Sequence, residues 1–165
     1  MSKVKYLCAA MFGVSAMALP LQSQAHAEVF ARPSVIRWGA TSAQLQRRLA
    51  YYCPKLSTRK IDPPFLPSVK TQQLQIDCDG FQFRGRGRHV EFVIRDDRLV
   101  MVWLMVQASE SAEIIRDMKR ALGRPTGQNQ NYVAFERHRI AWRHKPAEIL
   151  FYAPELDADM KPDFR

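Results

Sequence analysis

The stretch Leu99-Val100-Met101-Val102-Trp103-Leu104-Met105-Val106 decides the fold of this chain. All eight residues are apolar, so both alternating sets of side chains are apolar, which is typical of a strand that is buried on its two faces. The run is also far too short for a membrane-spanning helix, which needs about 20 apolar residues. It therefore predicts a central strand with packing layers on both sides.

In the residues before this strand, the hydrophobic pattern has a period of two. Apolar and polar residues alternate from Gln73 to Asp79, and Asp79-Gly80 supplies a turn or bulge. A second strand fits His89 to Arg95, and Asp96-Asp97 then turns the chain into the central strand. Three consecutive antiparallel strands are expected here.

Three more short strands are predicted downstream, at Tyr132–Glu136, Arg139–His144 and Glu148–Ala153. The polar residues 127–131 before them are typical of a loop. After Ala153 the sequence is mostly polar, so we expect residues 154–165 to form a flexible C-terminal tail.

One helix is predicted before each group of strands. Thr41 and Gln44 have the spacing of a capping box, and Pro54 ends the first helix. Residues 54–70 contain four prolines and predict a semi-rigid connector without regular structure.

The second helix is capped by Ser109 or Ser111 and ends at Gly123. The resulting order is α-βββ-α-βββ, an α+β fold with two helices packed on an antiparallel sheet. Ser42–Leu45 and Ser111–Ile114 begin the two helices alike, which is compatible with a pseudo-repeat. Residues 28–153 are expected to form this single domain.

Residues 1–27 have the pattern of a secretory signal peptide. Lys3 and Lys5 precede an apolar stretch, and the small residues Ala25 and Ala27 fit a cleavage site after Ala27. Removal of the two lysines would lower the formal charge from +9 to +7. We expect a periplasmic or secreted protein that does not span the membrane after cleavage.

The two cysteines that remain after cleavage are Cys53 and Cys78. In an oxidising compartment they predict one disulfide, worth roughly 3 kcal/mol on the loop-closure model. Two buried free thiols are the alternative. The spacing of the cysteines does not resemble a metal site.

Two short blocks carry a resemblance. The sequences DPPFLP at residues 62–67 and QIDCDGF at residues 75–81 resemble a pattern in uncharacterised exported bacterial proteins. That resemblance implies export but no known activity. The order of helix and strands is also similar to the folds of β-lactamase inhibitor proteins and outer-membrane assembly lipoproteins, a likeness of fold that assigns no role to any residue.

Basic residues concentrate in two segments that could bind an anion. The candidate binding residues are Arg84, Arg86, Arg88, His89, Arg137, Arg139, Arg143 and Lys145. Guanidinium groups match carboxylates and phosphates, and the glycines between the first three arginines allow close approach. If the strands bring both segments to one edge, that edge would bind an envelope protein or an anionic polymer or glycan. Nucleic acid is not expected for an exported chain without an RNA-binding signature.

These observations predict a non-enzymatic exported binding or adaptor protein that recognises an anionic macromolecule through a basic loop edge. A solvated turn region is the plain alternative for the same charges. No catalytic motif and no cofactor motif is present. His89, His138 and His144 lack the spacing of known metal-binding motifs, so no metal is expected.

Two other functions are carried as alternatives. A small envelope hydrolase could use Asp77, Asp79 and His89, because residues two apart on a strand face the same way. A carrier of a small apolar ligand could use a cavity lined by Trp103 and Phe81.

Overall fold

The computed structural model describes residues 30–165. The expected signal peptide and its cleavage site therefore lie outside the described residues. Between residues 30 and 165, no helix combines the length and the apolar character needed to cross a bilayer.

In the part of the chain that the structure describes, three α-helices and eight strands form the fold. The helices are α1 (Ser42–Leu49), α2 (Ser111–Leu122) and α3 (Asp157–Met160). The strands are β1 (Lys55–Ile61), β2 (Gln73–Phe83), β3 (Arg86–Arg95), β4 (Arg98–Met105), β5 (Gly127–Gln128), β6 (Tyr132–Phe135), β7 (Ile140–Arg143) and β8 (Glu148–Tyr152).

All eight strands belong to one antiparallel sheet in the order β1-β2-β3-β4-β8-β7-β6-β5. The sheet consists of two four-stranded meanders, each preceded by one helix, which meet where β4 pairs with β8. The predicted α+β class is confirmed. The order is α-ββββ-α-ββββ with a third short helix, so the predicted count of three strands in each half was one too low.

The strand that the sequence did not predict in the first half is β1, which occupies part of the predicted proline connector. It forms because its whole length pairs with β2, from Lys55 opposite Asp79 to Ile61 opposite Gln73. It is an edge strand, and five of its seven residues are exposed. Its sequence therefore lacks the buried alternating residues by which strands are recognised. The strand missing from the second half, β5, has only two residues.

The sheet has two faces, called face A and face B below. On face A lie α1, through Leu45 and Leu49, and α2, through Ile114 and Met118. These side chains pack with the apolar residues of every long strand and with the lead-in segment before α1, including Phe30. Face A therefore carries the larger core.

Face B is covered by two irregular segments instead of long helices. Leu66, from the connector between β1 and β2, is 7% exposed. The C-terminal segment adds Leu156, Met160 and Phe164, all buried in the same cluster. Residues 154–165 thus form helical turns that pack on the sheet, contrary to the expected flexible tail. Burial of these three apolar side chains explains why the segment is held.

The prediction for the central strand is confirmed. Every residue of β4 from Leu99 to Leu104 is buried, and β4 joins the two meanders. The predicted bulge also occurs, with a register shift between Asp79 and Phe81 and a positive φ at Gly80. Asp96 and Asp97 both have positive φ, as a tight hairpin turn requires.

The predicted capping box and disulfide are present. Thr41 Oγ1 accepts from the backbone N–H of Gln44, and the side chain of Gln44 accepts from the N–H of Thr41. Cys53 and Cys78 form a disulfide with a Cα–Cα distance of 5.4 Å. The disulfide fastens the end of the α1 region to β2.

Candidate functional site

The predicted basic residues do not lie at one edge. Arg86 begins β3 opposite Phe83, and Arg143 ends β7 opposite Glu148, which in turn lies opposite Met105. These residues, with Lys145 in the turn that follows, are at one end of the sheet. Arg137 and Arg139 lie in the turn between β6 and β7, at the opposite end. The candidate residues are therefore divided between two ends of the strands.

Arg84 and Arg88 of the β2–β3 hairpin are held by carboxylates of α2 and of the turn before it. Arg84 donates to Glu113 at 2.5 Å and to Asp117 at 2.9 Å. Arg88, with a side chain only 4% exposed, makes a two-pronged pair with Glu110 at 2.7 and 2.8 Å. Arg84 therefore joins the first half of the molecule to α2, and Arg88 joins it to the turn that precedes α2.

The Arg88 pair also changes the acidity of its partner. Hydrogen bonding from Arg88 is the main cause that lowers the pKa of Glu110 to about 2, against an ordinary value of 4.5. A backbone N–H from Gln107 adds to this effect. Glu110 is thus ionised at every physiological pH, and the positive charge of Arg88 is cancelled locally.

Other candidate residues differ in how far they are engaged. Arg139 pairs with Asp157 through two hydrogen bonds of 2.9 Å. Arg143 pairs with the buried Glu148 and stacks on Trp103, with 4.0 Å from its Cζ atom to the ring centroid.

Three cationic side chains of the predicted set are more accessible. Arg86 is 58% exposed and only loosely held, by Gln107 at 3.1 Å and Glu110 at 3.9 Å. Lys145 and Arg137 are exposed.

The residues of the hydrolase alternative do converge, on face B. His89 Nδ1 lies 2.5 Å from Asp79 Oδ1, while His89 Nε2 lies 3.9 Å from a carboxylate oxygen of Asp77 and 3.9 Å from one of Glu91. The hydrogen bond with His89 is the main cause that lowers the pKa of Asp79. We call these four residues the His89 cluster.

The His89 cluster also has the composition of a cation site. Ligand atoms of Asp77, His89 and Glu91 lie within 4.8 Å of one another. Asp77 is already engaged, however, since Gln75 Nε2 donates to it at 2.6 Å and Arg59 Nε lies 3.5 Å away. His138 and His144, the other histidines considered from the sequence, belong to different turns.

A cavity of about 680 Å³ lies on face B beside the His89 cluster, with Glu91 as a shared residue. Its apolar lining includes Leu66, Met101, Trp103 and Leu156 from both packing segments and the sheet. Phe81 faces the core on face A and is not part of this lining. The expected cavity thus contains Trp103 without Phe81.

A second concave surface runs along α1, and sequence reasoning missed it as a site. This basic groove has a volume of about 710 Å³ and is lined by Arg37, Trp38, Gly39, Ala40, Gln44, Arg47, Arg48, Tyr51 and Tyr52. No acidic residue is among these nine. Tyr51 is 89% exposed and Tyr52 is 46% exposed.

Charges in the basic groove are not cancelled by neighbours. Within residues 30–165, Arg37, Arg47 and Arg48 make no salt bridge, and Arg48 only donates to the backbone oxygen of Val35 at 3.4 Å. A signal for the groove was present in the sequence, because Arg47 and Arg48 fall on the solvent side of a predicted helix.

Comparison of the chain with models of known protein families, with curated proteins and with solved structures gives no match to any of them.

Proposed function

We propose that this protein is an exported, non-enzymatic binding domain that recognises an anionic macromolecule, and that the basic groove along α1 is the surface that binds. The observation that carries this proposal is the set of three arginines in a concave surface without a carboxylate in its lining. Export is supported by the leader-like sequence of residues 1–27 and by the disulfide.

The composition of the basic groove favours an acidic protein as the partner. Trp, Tyr and Arg are the residues that most often dominate the binding energy of protein interfaces. Here Trp38, Tyr51 and Tyr52 stand beside Arg37 and Arg47. An exposed tyrosine also offers a large contact area with little loss of side-chain freedom on binding.

The ion pairs of Arg84 and Arg88 favour the basic groove over the β2–β3 hairpin as the binding surface. A guanidinium that already binds two carboxylate oxygens has its positive charge largely offset before a ligand arrives. Arg84 and Arg88 are in that state, whereas the groove arginines keep their charge. The partner would thus meet unpaired positive charge at α1.

Chromatography on immobilised poly-L-glutamate, with heparin as a second matrix, tests the proposal. Three double variants each remove two positive charges: Arg37→Gln with Arg47→Gln in the basic groove, Arg86→Gln with Lys145→Gln at the hairpin end, and Lys119→Gln with Arg120→Gln on α2. All six side chains are exposed, which makes the variants comparable in their effect on net charge.

We expect the groove variant to elute at clearly lower salt than the other two, because loss of specific contacts adds to the loss of charge. Tighter retention of the wild type on poly-L-glutamate than on heparin would support an acidic protein as partner, and the reverse order would indicate a polysaccharide. Elution of the three variants at the same salt concentration would show that only net charge matters and would refute the basic groove as the binding surface.

A small hydrolase remains a second candidate because the His89 cluster brings a histidine between carboxylates. Asp79 could orient the imidazole through Nδ1 and leave Nε2 to exchange a proton. Hydrolysis of p-nitrophenyl acetate by the wild type, lost in His89→Gln and retained in His138→Gln, would favour this function. Equal rates in all three proteins would reject it.

A further inference from the structure

The cavity on face B has an electrostatic character opposite to that of the molecule. Its lining contains three carboxylates, Glu91, Asp159 and Asp163, and a single cationic side chain, Arg143. The charge of Arg143 is already matched by the buried Glu148, which lies outside the lining. A chain with an excess of basic residues thus keeps a locally acidic cavity.

The carboxylates of the cavity are incompletely paired. Within residues 30–165, the ion pairs of Glu91 and Asp159 are both long, with His89 at 3.9 Å from Glu91 and Arg95 at 3.7 Å from Asp159. Asp163 makes no salt bridge within residues 30–165. These groups can accept a cation without breaking a close internal pair.

The interior of the same cavity is apolar and aromatic. Met101, Trp103 and Leu156 are buried side chains that line it, while Phe65 is 56% exposed at its margin. A volume of about 680 Å³ lies in the range of sites for small organic ligands, which usually combine apolar walls with a few placed polar groups. Arg143 already stacks on the ring of Trp103, so this ring serves as an apolar wall and the carboxylates remain as the groups that attract a cation.

We infer that this cavity binds an amphipathic organic cation, a molecule with an apolar body and one ammonium group. The apolar body would lie against Phe65, Met101 and Trp103, and the ammonium group would lie near Glu91, Asp159 and Asp163. Neither a simple anion nor a neutral lipid satisfies the carboxylates, because a charged group that loses water on binding needs a partner of opposite charge. This site is separate from the basic groove on the other side of the molecule.

Isothermal titration calorimetry of the purified protein with decyltrimethylammonium, below the critical micelle concentration of this probe, tests the inference. Decyl maltoside and decyl sulfate serve as neutral and anionic probes with the same apolar chain. We expect one molecule of the cation to bind per protein, at least tenfold tighter than the neutral probe. Equal affinity for the cation and the neutral probe, or no binding of the cation, would overturn the inference.

Three variants test whether the cation binds in the cavity. Glu91→Gln with Asp163→Asn should weaken binding of the cation at least fivefold, while Asp62→Asn with Glu155→Gln removes two exposed carboxylates elsewhere and should change it less than twofold. Ala158→Trp introduces a large side chain at an exposed position of the lining and should abolish binding without disturbing the core. Binding of the cation that survives Ala158→Trp would overturn the assignment.

The outcome is independent of the proposed function. Arg37→Gln with Arg47→Gln should leave affinity for decyltrimethylammonium within twofold of the wild type. The affinity for decyl sulfate is expected to fall in the groove variant and to stay unchanged in Ala158→Trp. Loss of decyl sulfate binding in Ala158→Trp would mean that the cavity takes the anion, and would refute the choice of a cationic ligand.

Discussion

The β2–β3 hairpin and the basic groove both concentrate arginine, yet the two regions use it differently. In the hairpin, Arg84 and Arg88 each bind carboxylates of α2 or of the turn before it. Along the groove, Arg37 and Arg47 make no such pair within residues 30–165 and remain exposed. A cluster of basic residues in sequence can therefore be a structural fastening, and the pairing of each charge decides its role.

The largest effect that tests this comparison is expected at Arg88. Arg88→Ala leaves the carboxylate of Glu110 without its partner in a largely desolvated place, so we expect a loss of about 3–5 kcal/mol in unfolding free energy. Urea denaturation followed by circular dichroism measures it. A loss below 1 kcal/mol would contradict the structural role of the hairpin arginines.

The disulfide provides the corresponding fastening on the side of the basic groove. Cys53→Ser with Cys78→Ser should lower the unfolding free energy by roughly 3 kcal/mol, because the unfolded chain regains the freedom of the closed loop. Urea denaturation with and without reductant checks this, since reductant should destabilise the wild type and leave the variant unchanged. A response of the variant to reductant would contradict the single-disulfide assignment.

The pH dependence of stability in acid should reveal the ion pair between Arg88 and Glu110. Its pKa is about 2 in the fold and 4.5 ordinarily, so the pair stabilises the protein fully above about pH 4.5. The stabilisation is lost as pH falls from about 4.5 to 2, because protons then bind more readily to the unfolded chain. The stability difference between wild type and Glu110→Gln should therefore shrink over this window in thermal unfolding. A difference that stays constant from pH 6 to pH 2 would count against it.

The smallest effect on stability is expected in the basic groove. Arg37→Gln with Arg47→Gln should change the unfolding free energy by less than about 0.5 kcal/mol, as is usual for exposed residues without partners. Urea denaturation alongside Arg88→Ala gives the direct contrast. A loss above 1 kcal/mol would mean that the groove arginines are also structural.

Much of the fold was accessible from the sequence because strong local patterns marked it. The apolar run of β4, the capping box at Thr41 and the bulge at Gly80 each follow from residue types at fixed spacing. The edge strand β1 was missed because pairing with β2, and not a buried face of its own, creates it.

The C-terminal segment was misjudged for a different reason. Leu156, Met160 and Phe164 recur every four residues, which is a helical spacing, but the acidic residues between them suggested a solvated tail. Their burial depends on a sheet face that no local pattern reveals.

The candidate sites were harder to predict than the fold. Arginine positions are visible in sequence, whereas their partners Glu110, Glu113 and Asp117 are 22 to 33 residues away. Tyr52 follows α1 in the chain and lies exposed in the basic groove, a placement that no local pattern indicates. Contacts between distant segments decide these roles, so they become apparent only in three dimensions.

The edge strand β1 also bears on how a partner can dock. Lys55, Arg59 and Lys60 lie exposed along this outer margin of the sheet. Positive side chains at such a margin discourage another polypeptide from extending the ladder of backbone hydrogen bonds, the usual route to fibrils and to recruitment by strand addition. The sheet therefore resists templated growth at this margin, and the proposed partner is expected to contact side chains on the faces of the molecule.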